Sequence, residues 1–290
     1  SASATGGTSM GMGLVKLMRP RQWVKNGFVL APLVFSGKFL DSAAIGHALA
    51  AFVLFSLAAL AVYIVNDWVD MERDRQHPKK SRTRPLASGA VPVSAALALL
   101  AVLYMLLAAA WFHEPRVIGV IAVYLALNYA YTFVLKHQPV LDIFTIALGF
   151  VLRVYAGAVA LQAPVSGWMF VTTLCLARYL AAIKRRQELA RSGSDGRAVL
   201  EKYSVSLVDR YAEMSATGAL VFYSMFVMSA RPELKITVPI VLFGMFRYWY
   251  VVEKLDAGES PTDALLGDWQ LLLTVAAWVG ACLWALWPAH

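Results

Sequence analysis

From residue 43 to residue 65 the chain carries no Asp, Glu, Lys or Arg. A run of that length matches the roughly 20 apolar residues an α-helix needs to cross a bilayer core. It stops abruptly at Asn66-Asp67-Trp68-Val69-Asp70-Met71-Glu72-Arg73-Asp74. Any fold must therefore set a membrane helix directly against a group of carboxylates. Comparable apolar segments recur at about 27–40, 92–112, 116–135, 139–161, 167–184, 212–230, 235–253 and 269–287. The expected class is all-α, a polytopic membrane protein of about nine transmembrane helices. Residues 1–18 read as a flexible N-terminal tail and 19–290 as a single transmembrane catalytic domain. No short apolar region near the start ends in a small-residue cleavage site, so no separable signal peptide is expected.

Composition excludes other classes. The chain is 59% apolar and only 15% charged, against about 25% charged in soluble domains. Its formal charge of +8 does not point to nucleic acid, because no soluble module is present to carry such binding. Lys- and Arg-rich loops on one side of a membrane explain it. With the N-terminus inside, only Lys38, Arg116, Arg231 and Lys235 of the 26 Lys and Arg fall in outer loops. Asn66–Pro85, Lys136-His137 and Lys184–Arg210 then face the cytoplasm. Cys175 and Cys282 both lie inside apolar segments, which argues against a disulfide framework or a zinc site. His47, His113 and His137 are isolated.

Asn66, Asp67, Asp70 and Asp74 are spaced i, i+1, i+4, i+8. At about 100° per residue they fall within an arc of roughly 100° on a helix. Oxygen donors so grouped suit a hard cation such as Mg²⁺, which shares its shell with waters and substrate phosphates. Arg73, Arg75, Lys79, Lys80, Arg82 and Arg84 follow at once. Carboxylates that hold a metal, with cations beside them, make a site for a diphosphate. A solvated loop between helices is the bland alternative, and the helical spacing against the membrane argues against it.

Other charges are less specific. Arg19-Pro20-Arg21-Gln22-Trp23-Val24-Lys25-Asn26 is a basic, aromatic entry segment facing anionic lipid or a substrate phosphate. Lys136 caps a helix C-terminus or binds phosphate. Asp142 and Arg153 share a helix face, and the Arg153 charge should point to the bundle interior or a wet cavity. A structural pair with an acid from another helix is its alternative. Lys184, Arg185, Glu188 and Tyr203 lie on the second charged segment, where Lys184 and Glu188 are also spaced for a surface salt bridge. Arg247 adds a cation near an inner helix end. Arg178 is expected to snorkel. The acidic loop Glu253–Asp268 reads as a solvated face.

Asn66-Asp67-x-x-Asp70-x-x-x-Asp74, ending in Arg84-Pro85-Leu86-Ala87-Ser88-Gly89, resembles the first aspartate-rich motif of the UbiA superfamily of intramembrane prenyltransferases. Arg19-Pro20, Tyr131-x-x-x-Leu135-Lys136 and Arg153-x-x-x-Gly157 extend the resemblance over nearly the whole chain. It implies nine helices around a central cavity, a metal site at the cytoplasmic mouth and a lipid-facing opening. Where aromatic prenyltransferases carry a second Asp-x-x-x-Asp, this chain has Lys184-Arg185-Arg186-Gln187-Glu188-Leu189. That departure, with the Arg19–Asn26 segment and Asp74-Arg-Gln-His-Pro-x-Lys80, is similar to the decaprenyl-phosphate phosphoribosyltransferase branch. The branch moves 5-phosphoribose from phosphoribosyl diphosphate to a polyprenyl phosphate, for arabinofuranose donors of cell-envelope glycans. Three phosphate groupings at one mouth also suit extra Lys and Arg better than extra carboxylates.

The expected site follows. Mg²⁺ is held by Asn66, Asp67, Asp70 and Asp74, the last three being the catalytic set. Lys79 or Lys80, Arg84, Lys184 and Arg185 take the soluble sugar's phosphates. Arg19, Lys25, Lys136, Arg153 and Arg247 take the lipid phosphate or ribose, with Asn26 and Tyr203 in the same binding set. Glu188 takes a ribose hydroxyl or a second Mg²⁺. The expected partners are phosphoribosyl diphosphate, a polyprenyl phosphate lipid and the membrane, with room for a homo-oligomer and none for nucleic acid. The expected location is the cell (inner) membrane, multi-pass, with the site facing the cytoplasm. A prenyltransferase acting on an aromatic or other small acceptor is the rival reading. A non-catalytic transporter is a more distant one, since it needs polar groups near the bilayer midplane and these carboxylates crowd one edge.

Overall fold

Asp41 starts the long apolar helix: its side chain accepts the Ala43 N–H at 3.0 Å, satisfying one of the donors a helix start leaves free. The computed structural model describes residues 3–192, 198–255 and 261–288. Its regular structure is helical throughout those residues. That helix, α3 (Ser42–Val69), follows α1 (Ser3–Met18), a 3₁₀ segment (Pro20–Leu30) and α2 (Ala31–Phe35). The charged loop is folded into three short helices, α4 (Met71–Arg75), α5 (Lys80–Thr83) and α6 (Pro85–Ser88). Then come α7 (Val93–Ala110), α8 (Pro115–Phe133), α9 (Leu141–Ala160), α10 (Gly167–Ser192), α11 (Val205–Ala230), α12 (Val238–Glu253), α13 (Pro261–Gly267) and α14 (Trp269–Ala285).

α3 and α9 are the central helices. Ala51, Ala58, Ala59 and Ala156 are buried with Val29, Phe55, Val62, Ile121 and Tyr124 in one cluster. Small side chains let helix backbones approach where lipid offers no hydrophobic drive to pack them. The closest approach is at Gly157, where an added Cβ would lie 1.9 Å from the Val29 carbonyl oxygen. Only glycine lets the 3₁₀ segment lie flat on α9.

Two expectations change. The supposed tail contains α1, and Leu17 on it is fully buried against Leu60, Ala61, Ile64 and Val91. Apolar Leu14, Leu17 and Met18 recur on one helical face, which gives α1 a side to bury. The count of nine spans is not confirmed. Among the described residues five helices are long and apolar enough to cross a membrane, or six if α13 and α14, bent by 91°, form one span. The expected first span, 27–40, is instead the end of the 3₁₀ segment followed by the short α2. Pro32 lacks an N–H and Gly37 takes a φ of +75°, so a continuous helix is interrupted on both sides.

Gly157→Ala should therefore cost about 1–3 kcal/mol by overpacking. The expected result is a lower thermal unfolding midpoint in detergent, with reduced monodisperse yield; an unchanged midpoint would mean the 3₁₀ segment is not held against α9.

Candidate active site

The four oxygen-bearing residues do follow one helical thread. The Asp70 N–H donates to the Asn66 carbonyl at 3.0 Å, and the Asp74 N–H to the Asp70 carbonyl at 2.8 Å. α3 ends at Val69, Asp70 stands at its C-cap, and Asp74 lies on α4. Asp67 and Asp74 are buried while Asn66 and Asp70 are half-buried. Each carboxylate has a cation. Asp67 pairs with Arg19 and lies 3.8 Å from an Arg84 nitrogen. Lys136, itself buried, donates to Asp70 at 2.7 Å. Asp74 feels Lys80 and Arg84, yet burial still pushes its carboxyl above the usual carboxylate range, and Asp70 and Asp67 add to that rise.

Arg19 reaches Asp67 because its backbone takes a left-handed turn, φ 48° and ψ 63°, just before Pro20. Few non-glycine residues occupy that region. Its guanidinium also stands 4.7 Å over the Tyr63 ring. Tyr63 is one turn before Asp67 on α3, so ring and carboxylate hold the arginine together.

A second group of cations lies further into the bundle. Arg153 is 5% exposed. Its Nε donates to Asn26 Oδ1 at 2.9 Å, and the Asn26 amide donates to Ser56 Oγ at 3.0 Å. Phe55, Tyr124 and Phe150 present their rings to its guanidinium at 4.9–5.3 Å. No carboxylate of the described residues pairs with it, so the expected ionic partner from another helix is absent there. Lys25 interacts electrostatically with Tyr63, Arg153, Arg19 and Asp263. Arg19 stacks on Tyr63, and Lys25 and Arg153 lie within electrostatic range of the same phenol.

The second charged segment is arranged differently. Arg185 is fully buried and donates to Asp142 Oδ2 at 2.6 Å, to both Glu188 oxygens at 3.2 Å and to the Tyr131 hydroxyl at 3.0 Å. The Tyr203 hydroxyl donates to Asp142 Oδ1 at 2.5 Å and accepts the Val140 N–H at 2.6 Å. Burial and the bond to Asp142 push the Tyr203 phenol up. Val140 has a φ of 70°, a genuine outlier for a β-branched residue, and that hydroxyl fixes it. Arg247 makes two bonds to Asp268, at 2.9 and 3.0 Å, and Asp268 also caps α14 through the Leu271 N–H. Lys79 is exposed and Lys184 half-buried.

The structure thus joins Arg19, Arg84, Lys136 and Lys80 to the aspartates, and Lys25 and Asn26 to Arg153. It gathers Arg185, Glu188 and Tyr203 into a separate buried network and sets Arg247 against Asp268. Sequence reasoning passes over Tyr63 and Asp263. Tyr63 is visible in hindsight as i−4 to Asp67; Asp263 has no comparable signal within its acidic loop. A cavity of about 360 Å³ lined by Lys38, His47, His113, Glu114 and Arg116 holds none of the expected site residues.

The donor set fits a hard divalent cation. Asp67 Oδ2 is buried without a hydrogen-bond partner among the described residues. No group of three or more His, Cys, Asp or Glu among the described residues forms a ready-made cage. Magnesium does not need one, since it takes one or two carboxylates together with waters and substrate phosphates.

Residues 28–266 match the UbiA prenyltransferase family. A decaprenyl-phosphate phosphoribosyltransferase of Mycolicibacterium smegmatis is 38% identical over 92% of this chain and 90% of its own length. A protein of the same name from Mycobacterium tuberculosis is 38% identical over 92% of both chains, and one from Corynebacterium glutamicum 34% identical over 95% and 87%. The fold is similar to a UbiA homologue from Archaeoglobus fulgidus bound to GPP and Mg²⁺, with TM-score 0.70 and 19% identity over 94% of this chain and 99% of that one.

Two substitutions should move stability in opposite directions. Asp142→Asn removes the shorter of the two ion pairs of buried Arg185 and leaves the one to Glu188 at 3.2 Å, at a cost of about 1.5–3 kcal/mol for the lost charge-assisted bond. For Asp74 the folded pKa is raised, so its contribution to stability is present in acid and lost as pH rises through that raised value. Asp74→Asn removes that penalty and should hold or raise the unfolding midpoint at pH 7. Thermal unfolding of both variants checks this; a midpoint for Asp74→Asn well below wild type would contradict it.

Proposed function

The chain belongs to the UbiA prenyltransferase family, a family of integral membrane enzymes, and from that premise we propose that it transfers 5-phosphoribose from phosphoribosyl diphosphate to a polyprenyl phosphate, releasing diphosphate. One observation carries the reading: further into the bundle than the rim of carboxylates lies a buried guanidinium, Arg153, that no carboxylate of the described residues pairs with. A prenyl diphosphate brings a single anionic head. A sugar diphosphate and a lipid phosphate bring two anions to separate places, and the relatives named for that reaction support the same choice.

In this reading Asn66, Asp67, Asp70 and Asp74 hold a Mg²⁺, which when bound neutralises charge growing on the departing diphosphate. Arg84, Lys80 and Lys79 bind the phosphates of the soluble sugar. Arg19 and Lys136 hold the carboxylates in place until phosphate oxygens compete for them. Arg153, with Lys25 and Asn26, receives the lipid phosphate, and Tyr63 orients Arg19 from beneath. A phosphate oxygen of the lipid attacks the anomeric carbon as the bond to diphosphate breaks on the opposite face, so configuration inverts. That oxygen is already anionic at neutral pH, and no strong general base is needed. Arg185, Glu188, Tyr203 and Arg247 act on the frame: they fix α9, α10 and α12 without touching substrate. The site faces the cytoplasm of the cell membrane by its excess of Lys and Arg, and the product serves arabinofuranose donors for envelope glycans.

Purified protein given labelled phosphoribosyl diphosphate, polyprenyl phosphate and Mg²⁺ should form a labelled lipid. With prenyl diphosphate and 4-hydroxybenzoate it should form none. Transfer in the second arm alone would replace this reading with a prenyltransferase. Asp70→Asn should lose most activity, roughly 10²-fold or more, while keeping its fold; near-normal turnover with unaltered Mg²⁺ dependence would remove that residue from the mechanism.

A further inference from the structure

Arg178 stands on α10, about 9 Å along the axis from Lys184. It is half-buried. Its guanidinium lies 5.1 Å over the Phe144 ring, and Nη2 reaches only the sulfur of Cys175, at 3.1 Å. Its Nε is buried and has no hydrogen-bond partner among the described residues. No carboxylate of the described residues pairs with it. An intramembrane cation without a counter-charge is costly and points to a missing partner.

The direction it faces narrows the partner. Phe144 is nine residues from Arg153 on α9, which at about 100° per residue turns it roughly 180° away from the bundle interior. Val140, Leu141, Phe144 and Leu148 are all exposed on that outward side. Phe144 belongs to the first turn of α9, at the end that carries Asp142 and adjoins Lys136. The guanidinium is therefore at the depth where headgroups of the aspartate-side leaflet meet their acyl chains, above an apolar strip. A second copy of the chain packed symmetrically would bring the same cation and the same apolar strip, with no acid to offer.

We propose that Arg178 and Phe144 form a binding site on the outer wall for the phosphate of an anionic phospholipid, with Leu148 and its neighbours along the first acyl carbons. The phosphate supplies the charge-assisted acceptors the guanidinium lacks, and this lipid is the most abundant anion at that depth. The site is separate from the aspartates and does not depend on which group the enzyme transfers.

The test is photo-crosslinking of the full chain in detergent micelles. Phosphatidylglycerol with a photoactivatable acyl chain is compared with the matched phosphatidylcholine, and adducts are mapped by peptide mass spectrometry. Phosphatidylglycerol should label the peptide holding Phe144 and Leu148. In Arg178→Gln that labelling should fall about fivefold or more, with phosphatidylcholine labelling unchanged. Arg178→Lys, which keeps the charge, should retain part of it. On wild type, unlabelled phosphatidylglycerol should compete and polyprenyl phosphate should not compete better. Equal phosphatidylglycerol labelling of wild type and Arg178→Gln, no preference over phosphatidylcholine, or displacement by polyprenyl phosphate alone would each overturn the proposal. If Arg178→Gln fails to fold, the competition on wild type still decides it.

Discussion

A carboxylate at the end of a membrane helix cannot stay buried and ionised without a counter-charge. Asp67, 2% exposed, is that group here, and much of the chain is arranged to satisfy it. Arg19 turns through a left-handed backbone to reach it. Pro20 sets the 3₁₀ segment running from that turn, and Gly157 lets the segment lie against α9. The same segment delivers Asn26 to Arg153 and brings Lys25 close to Tyr63. Asp70 repeats the arrangement with Lys136, contributed by the α8–α9 connection. The carboxylates are thus tied by ion pairs to the Arg19 segment, to Arg84 and to the α8–α9 connection, and packing of α3 on α9 holds the first and last in register.

The cations sort into two kinds by what neutralises them. Arg185 and Arg247 have well-formed acidic partners, Asp142 with Glu188 and Asp268 respectively. Those charges are already neutralised inside the fold, as a structural pair would be. Arg153 is balanced by an amide and aromatic rings, which orient it without cancelling its charge. A guanidinium kept positive in a low-dielectric interior attracts an anion more strongly than one already paired. In the proposed reaction, the first kind sets positions and the second receives the anion.

The helical spacing of Asn66, Asp67, Asp70 and Asp74 was readable because it is local: i, i+4 periodicity carries the face. Apolar runs likewise announced α3, α7, α8 and α9. Partners distant in sequence were not readable. Arg19 and Asp67 are 48 residues apart, and nothing in either segment names the other. Asp142 and Arg153 share a helical face, but eleven residues at about 1.5 Å separate them by some 16 Å along the axis. Asp142 therefore meets Arg185 and Tyr203 at one end, while Arg153 meets Asn26 well inside. The sequence suggests Arg185 as a phosphate ligand because basic runs at a helix end usually face water; its burial inside the α8–α9–α10 contact is a tertiary fact. Pro32 and Gly37 break the helix within 27–40, a local signal that the apolar character of the segment masks.

In the proposed reaction the ion pairs of Asp67 and Asp70 must yield to substrate. An experimental structure with Mg²⁺, phosphoribosyl diphosphate and a short polyprenyl phosphate tests this most directly. The expected result has the diphosphate beside Asp67 and Asp70, Arg19 and Lys136 turned from the carboxylates toward phosphate oxygens, and the lipid phosphate against Arg153. Ligands bound elsewhere, with the Arg19–Asp67 and Lys136–Asp70 pairs intact and Arg153 still in contact only with Asn26 and its rings, would contradict it.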